Sequence, residues 1–300
     1  MSAERAHAHA QAKGRAFAIG MLINAAFVVV EIVYGLHARS MALLSDAGHN
    51  LGDVLGLGLA WVAGILATLP PSKRRTYGMR KATLLSALAN ATILVAATGA
   101  IAWESILRLM HPSDVNSKVV MLIAALGVLV NGGSALLFLR DRHADLNVKS
   151  AFVHLAGDAA IALGVVLAGA IILFTGIVSI DPITSIIVSV LVLFTAWRLF
   201  AGSLNLVVDA VPPSIDIDAV RTYLSSVSGV SEVHDLHIWS MSTTEIALTA
   251  HLVMSAQPKG DALLHDVAAK LRENFDIVHA TIQLEVGGAQ PCGLARDDRV

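Results

Sequence analysis

Two histidine–aspartate pairs share one spacing in this chain of 300 residues. His49 precedes Asp53, and His154 precedes Asp158, by four residues in each case. Residues four apart lie on one face of an α-helix, about 5–6 Å from each other, so each pair can direct both side chains at one ion. Two imidazoles and two carboxylates form a complete tetrahedral ligand set for Zn²⁺. The two carboxylates also balance the charge of one divalent cation.

Both pairs lie within long apolar stretches. Hydrophobic residues make up 55% of the chain and charged residues 15%, with a mean hydropathy of +0.69, whereas an ordinary soluble domain has about 25% charged residues. Most of six stretches exceed the roughly 20 residues that a helix needs to cross about 30 Å of hydrocarbon, and the last is slightly short. They cover residues 16–36, 41–69, 82–107, 119–139, 151–175 and 183–200. The sequence therefore predicts a six-helix transmembrane bundle in a lipid bilayer.

The same composition excludes several other classes of protein. The apolar content excludes a disordered chain and an ordinary cytosolic enzyme. The single cysteine, Cys292, excludes an intrachain disulfide and a four-cysteine metal site. A net charge of −2 gives no basic surface that would indicate a nucleic-acid partner.

The two histidine–aspartate pairs are predicted to meet near the middle of the membrane. At 1.5 Å per residue, His49 lies about 12 Å and Asp53 about 18 Å from the start of the second stretch, while His154 and Asp158 lie about 5–10 Å from the start of the fifth, which runs the opposite way. A buried carboxylate at this depth costs about 2.5–3.5 kcal/mol even on a lenient scale. We therefore expect one shared metal site if the two helices are neighbours.

A metal at this depth has three possible roles: structural, catalytic or in transit. The His-Glu-x-x-His motif of zinc hydrolases does not occur in the sequence, a bis-histidine haem leaves both aspartates unexplained, and structural zinc is usually closed by cysteines. Ligands divided between two antiparallel membrane helices suit transport, since a tilt of one helix changes access and affinity together. A membrane metal sensor or scaffold, which binds without flux, stays open as an alternative.

The polar remainder of the chain predicts a small second domain. Its pattern is helix 217–226, strands 233–240 and 245–254, helix 261–275 and strand 281–286. This αββαβ order, ferredoxin-like, gives a three-stranded sheet with helices on one face. The predicted organisation is an N-terminal tail (1–15), a transmembrane domain (16–205), a cytoplasmic domain (206–286) and a flexible tail (287–300).

Basic residues set the predicted orientation. With the N-terminus inside, the inner segments before the last stretch carry eleven lysines and arginines, and the outer loops carry only Arg39, Arg108 and Lys118. Cytoplasmic segments are enriched in basic residues, so both termini are predicted to be cytoplasmic.

Four segments of the sequence resemble the cation diffusion facilitator family. They are residues 40–53 (SMALLSDAGHNLGD), 27–35 (FVVVEIVYG), 234–239 (HDLHIW) and 279–285 (HATIQLE). The resemblance covers nearly the whole chain and implies a homodimeric divalent-metal/proton antiporter of a bacterial inner membrane. Family members export zinc and often cobalt, cadmium or nickel, and the two His-x-x-x-Asp pairs are similar to the zinc-type branch.

The resemblance also implies roles for individual residues. His49, Asp53, His154 and Asp158 match the transport site. The cytoplasmic metal ligands match His234, His251, His265 and Glu285, with His237 and His279 close by. Gln283 stands where some members have a histidine, which argues against a binuclear site there.

Two further expectations follow from the resemblance near the loop after the second stretch. Residues 70–77 lack the aspartates and histidines that hold an extra metal in some members, so no site is predicted there. Lys81 matches a basic residue that pairs with an acid at the base of the sixth helix, which is Asp209 here.

The predicted function is export of Zn²⁺, the transported substrate, with protons as the counter-ion. Metal ligands must be deprotonated, so metal and proton compete for the same groups. Free histidine has a pKa near 6.5, which favours His49 and His154 as the proton carriers. A broader exporter of cobalt, nickel or cadmium is the alternative, because imidazole suits several of these metals.

Replacing His49 with Asp is expected to raise cadmium transport relative to zinc transport. The change substitutes a carboxylate for a nitrogen ligand, as in the less selective members of the resembled family. Uptake of the two metals into proteoliposomes measures the ratio, and an unchanged ratio would mean that other features set selectivity.

Overall fold

The structure is a computed structural model that describes residues 23–139, 146–255 and 261–286. Its elements are α1 (Ile23–Ala38 as described), α2 (Met41–Ala67), α3 (Ala82–Met110), α4 (Ser117–Phe138), α5 (Leu146–Thr175), α6 (Ile180–Val207), α7 (Ile217–Ser225), β1 (Val230–Ser240), β2 (Ile246–Met254), α8 (Ala262–Phe275) and β3 (Ile277–Val286). The predicted tails at residues 1–15 and 287–300, and the start of the first stretch, lie outside the described residues.

Within the described chain, α2 to α6 are each long and apolar enough to cross a membrane, and α1 is a shorter apolar helix. The expected α-helical membrane bundle with a small α+β domain is confirmed. The sixth helix is longer than the hydropathy pattern indicated. Helix α6 continues past the apolar stretch, through Gly202 and Ser203, to Val207. A helix satisfies its own backbone hydrogen bonds, so it does not need to end where its apolar residues end.

One compact unit contains the described residues of the ranges 23–58 and 90–198, and apolar contacts hold its helices together. Ala38 at the end of α1, Leu43 of α2, Val120 of α4 and Val165 of α5 are buried in one cluster. A second cluster joins Leu94 of α3 to three buried residues of α6.

Polar contacts along α6 fix its position against α2 and α3 in the same unit. Asp181, Ser185 and Ser189 recur every four residues on one buried face of α6. The Ser189 hydroxyl lies 3.2 Å from that of Ser45, and the Ser185 hydroxyl accepts a hydrogen bond from Ser105 at 2.8 Å.

Asp181, in the first turn of α6, caps the N-terminus of α2. Its carboxylate accepts a hydrogen bond from the Ser40 hydroxyl and one from the Met41 backbone N–H at 2.6 Å. The Ser40 hydroxyl in turn accepts from the Leu43 N–H at 3.1 Å. The first N–H groups of a helix have no partner within it, and a negative charge is favourable there, so this carboxylate stabilises the first turn of α2.

The second unit contains residues 59–89 and the described residues of the range 199–286, and it includes the three-stranded sheet. Strand order is β1-β2-β3, with β1 antiparallel and β3 parallel to β2. One core joins the sheet to both helices through Leu248 and Leu252 of β2, Leu224 of α7 and Leu271 of α8. The predicted helix–strand–strand–helix–strand order is confirmed.

Strand β3 begins at Ile277, four residues before the predicted start. Asp276 has a left-handed backbone (φ 54°) that ends α8, so the chain enters the strand at once. Val278 and His279 are both exposed, so the start of β3 lacks the regular alternation of buried and exposed residues by which a strand is predicted from sequence.

The segment between α2 and α3 contacts the sheet within this unit. Arg80 forms an ion pair with Glu245, the Thr243 N–H donates to the Thr83 hydroxyl at 3.1 Å, and the rings of Tyr77 and His279 lie 5.6 Å apart. Nζ of Lys81 lies 2.8 Å and 3.1 Å from the two carboxylate oxygens of Asp209. Lys81 and Asp209 are about half exposed, so their pair contributes little to stability by itself.

Replacing Asp181 with Ala is expected to loosen the first turn of α2. Buried donors of Ser40 and Met41 would lose their acceptor, at a cost of about 1–3 kcal/mol. Amide hydrogen exchange at residues 41–44 should accelerate by about tenfold or more, since 1.4 kcal/mol corresponds to a factor of ten. Asp114→Ala, at an exposed position, is the control, and unchanged exchange in the Asp181 variant would contradict the capping role.

Candidate metal centre

The four side chains of the two histidine–aspartate pairs converge between α2 and α5. Each histidine lies closest to the aspartate of the other helix: Nε2 of His49 is 3.0 Å from Oδ1 of Asp158, and Nε2 of His154 is 3.2 Å from Oδ2 of Asp53. Within each helix the corresponding distances are 3.9 Å and 3.6 Å. One ligand atom from each residue lies within 4.8 Å of all the others. The structure therefore brings together the four residues that the sequence singled out.

These distances suit a small tetrahedral cation. Zinc binds nitrogen and oxygen at about 2.0–2.2 Å, which places neighbouring tetrahedral ligand atoms about 3.3–3.6 Å apart. The four histidine–aspartate separations, 3.0–3.9 Å, bracket that value, and all four ligand atoms lie within 4.8 Å of one another. Little rearrangement is needed for the four groups to close around one ion.

The four side chains of this group differ in how far they are exposed. The side chains of Asp158 and His49 are 5% and 14% exposed, whereas those of Asp53 and His154 are 33% and 48% exposed. The more open side of the candidate site is therefore the side bounded by Asp53 and His154.

A glycine face on α2 allows a close approach to α3. A β-carbon added at Gly48, Gly52 or Gly56 would lie only 2.9, 2.7 or 2.6 Å from side-chain atoms of Ile101, Leu94 or Asn90, respectively. Small residues at four-residue spacing permit such packing between membrane helices. His49 and Asp53 each follow one of these glycines, so close packing of one face against α3 fixes the neighbouring face that carries the ligands.

This glycine face was missed by the sequence analysis, although its Gly-x-x-x-Gly-x-x-x-Gly spacing is visible in the sequence. The glycine spacing was a usable signal for a close helix contact.

Two further acids, Glu31 on α1 and Asp46 on α2, are fully buried but are not part of the four-residue group. Glu31 of α1 accepts a hydrogen bond from the Asn50 side chain at 2.9 Å, and Asn50 directly follows His49. Both carboxylate oxygens of Asp46 are buried without a hydrogen-bond partner among the described residues. The Glu31–Asn50 contact ties α1 to the segment of α2 that carries His49.

A second group of possible ligands lies on the sheet. Nδ1 of His251 is 2.9 Å from Oε1 of Glu285, and Nε2 of His234 is 3.5 Å from Oε2 of the same carboxylate. The rings of His234 and His251 have centroids 5.3 Å apart. These three residues form a compact group whose ligand atoms all lie within 4.8 Å of one another.

The other histidines suggested for this cluster lie elsewhere. His265 is exposed on α8 and is not part of the three-residue group. His279 contacts Tyr77, and His237 pairs with Asp235 at 2.9 Å. Asp235, which sequence reasoning did not select, also lies 3.4 Å from Nε2 of His251.

Comparison with known proteins places this chain in a transport class. Residues 17–208 match the family model of the cation efflux transmembrane domain, and residues 212–286 match that of the cation efflux protein, cytoplasmic domain. The fold and its matched domains define a multi-pass membrane cation transporter, not an enzyme.

Similar proteins are found in bacteria. The zinc transporter ZitB of Escherichia coli K12 is 38% identical over 90% of this chain and 86% of its own length. The metal cation efflux system protein CzcD of Cupriavidus metallidurans is 32% identical over 98% of this chain and 93% of its own. The cadmium, cobalt and zinc/H⁺-K⁺ antiporter of Bacillus velezensis is 31% identical over 93% and 91%. The chain belongs to the cation diffusion facilitator family, in its zinc-type branch.

Replacing Gly52 with Val is expected to weaken zinc binding at the four-residue site by about tenfold. The new side chain would meet Leu94, whose own packing against α6 leaves it little room to move, and overpacking of this kind costs about 1–3 kcal/mol. Zinc titration of a chain that also carries His234→Ala and His251→Ala isolates the membrane site.

Adding Leu94→Ala to the Gly52 variant should restore much of the affinity by making room for the valine. Gly64→Val is the matched control, since a β-carbon at Gly64 would meet nothing within 4 Å. Equal losses in the Gly52 and Gly64 variants would contradict the role of the glycine face.

Proposed function

We propose that this protein exports Zn²⁺ from the bacterial cytoplasm in exchange for protons. The observation that carries this proposal is the convergence of His49, Asp53, His154 and Asp158, whose ligand atoms lie within 4.8 Å of one another on two membrane helices. The similarity to a zinc transporter and to a cadmium, cobalt and zinc/H⁺-K⁺ antiporter supports both the cargo and the counter-ion.

The ligand set supports zinc as the main substrate. Two imidazoles and two carboxylates at near-tetrahedral separations match the coordination that zinc prefers. A broader exporter of cadmium, cobalt or nickel is the second candidate, because imidazole nitrogen also binds these metals and one similar antiporter is named for cadmium and cobalt.

The pairing of the candidate ligands supports exchange with protons. Without metal, each histidine has carboxylate oxygens at 3.0–3.9 Å, so an imidazolium is held by an opposite charge. With metal, the same nitrogens must be deprotonated to coordinate. Two protons and one Zn²⁺ carry equal charge, so the buried site keeps the same net charge in both states.

The basic residues support an orientation with both termini in the cytoplasm of a bacterial inner membrane. In that orientation α2 continues toward the cytoplasm beyond Asp53, and α5 starts on the cytoplasmic side before His154. The more exposed ligands are then the cytoplasmic ones, which corresponds to a site open toward the inside. Metal would enter past Asp53 and His154, and a tilt of the helices would redirect the site outward.

We also propose that residues 16–205 form the transport domain and that residues 206–286 form a cytoplasmic domain. The cytoplasmic domain would bind zinc through His234, His251 and Glu285. Neutralising Glu285 with a metal removes a negative charge from the sheet and favours contact between the cytoplasmic domains of two copies. We therefore assign this domain a regulatory role in a homodimer, since its candidate ligands belong to a separate group from the four membrane ligands.

Asp53→Asn and Asp158→Asn are each expected to abolish zinc uptake into proteoliposomes with an imposed pH gradient. Each change removes a charge that the buried cation requires, with little change in volume. Glu104→Gln, which alters a half-exposed acid on α3, is the control and should transport normally.

His234→Ala combined with His251→Ala should lower the rate without abolishing transport.

Near-normal flux in either aspartate variant would overturn the shared transport site. Zinc binding without flux in the unaltered protein would favour the sensor alternative. Uptake of cadmium and cobalt at rates equal to zinc would favour the broader exporter.

A further inference from the structure

Strand β1 contains a bulge at Asp235. His234 pairs with His251 and His237 pairs with Thr249, so Asp235 and Leu236 together oppose one residue of β2. Asp235 has a left-handed backbone, with φ of 50°. Residues other than glycine adopt this conformation at a cost, and such strain often lies at functional sites.

The bulge changes which side chains share a face of the sheet. Val233 and Leu236 both point into the helix-covered core, although a regular strand would place them on opposite faces. The residues between them, His234 and Asp235, are therefore left together toward the other face. That face also carries His251, since its neighbours in β2 are core residues.

The Asp235 carboxylate lies between two histidines. Its Oδ1 is hydrogen-bonded to Nε2 of His237 at 2.9 Å, and its Oδ2 lies 3.4 Å from Nε2 of His251. The other ring nitrogen of His251, Nδ1, lies 2.9 Å from Glu285. His251 is thus flanked by one carboxylate on each ring nitrogen.

The geometry assigns Asp235 as the positioning residue of the cytoplasmic zinc site. It holds the Nε2–H of His251, which fixes the tautomer and leaves Nδ1 as the metal-binding atom beside Glu285 and His234. Histidine ligands commonly donate their second N–H to a carboxylate that orients the ring and makes it a better ligand. This inference rests on the part of the proposed function that gives the sheet a zinc site.

The remaining groups of the cluster fit a cation in that position. Both ring nitrogens of His234 are buried without a hydrogen-bond partner among the described residues, and its side chain is 4% exposed. Such a buried polar ring is costly unless a ligand or partner satisfies it. The Gln283 amide donates to Oε1 of Glu285 at 3.1 Å and so helps to hold the carboxylate that faces both histidines.

Asp235→Gly separates this role from a purely structural one. Glycine accepts a positive φ without strain, so the variant keeps the bulge and removes only the carboxylate. The full-length chain carrying Asp53→Asn and Asp158→Asn serves as the reference, because its membrane site is disabled. Asp276→Gly is the matched control, since Asp276 also has a left-handed backbone but ends α8.

Zinc affinity of the reference chain is expected to fall by about 10–100-fold in the Asp235→Gly variant and to stay unchanged in the Asp276→Gly variant. With ¹⁵N-labelled histidine and ¹¹³Cd²⁺ as the probe, the reference should show metal coupling to Nδ1 of His251.

Three results would overturn the assignment. A zinc affinity within twofold of the reference after Asp235→Gly would mean that Asp235 matters only for the backbone of the bulge and not for zinc binding. Metal coupling to Nε2 of His251 would make Asp235 a ligand and not a positioning residue. A reference chain that binds no zinc would remove the cytoplasmic site itself, while leaving transport through the membrane site untouched.

Discussion

A charged carboxylate in hydrocarbon needs a compensating charge, and this constraint governs the membrane half of the protein. Asp53 and Asp158 each face the histidine of the opposite helix more closely than their own. Neither helix satisfies its own carboxylate alone, so α2 and α5 depend on each other electrostatically. In the proposed exchange, one divalent cation would replace two protons without changing the net charge that the bundle buries.

The surrounding helices hold this arrangement by contacts of quite different kinds. Gly52 allows α2 to lie against Leu94 of α3, and Asp181 anchors the first turn of α2 from α6. The Glu31–Asn50 contact joins α1 to the residue next to His49. Helix α2 is therefore restrained at its start and along its glycine face, whereas the face that carries His49 and Asp53 lies toward α5.

The parts of the sites that were predictable from sequence are those encoded locally. A spacing of four residues in an apolar stretch was enough to predict His49, Asp53, His154 and Asp158 as one group, because helical geometry is the same wherever a helix forms. Asp181 was not predictable in this way, since it caps a helix that begins 140 residues earlier. Asp235 was hidden for another reason: a bulge changes the alternation on which strand patterns rest, and nothing in the HDLH segment shows where the extra residue falls. His265 was carried over from the family resemblance, and its exposed position on α8 leaves it out of the compact group.

The serine contacts of α6 bear on how easily the bundle can deform. A serine hydroxyl rotates freely and can donate or accept, so the Ser45–Ser189 pair re-forms after a small sliding displacement. The Ser105 hydroxyl lies 2.8 Å from the Ser185 hydroxyl and 2.7 Å from the Ile101 carbonyl oxygen, so its one proton still has an acceptor within its own helix when Ser185 moves away. Interlocked apolar side chains resist such sliding, because each must climb out of its groove. The serine contacts on this face of α6 therefore resist a small sliding shift of the helix less than the apolar cluster that packs Val188 and Val192 against Leu94 of α3 does.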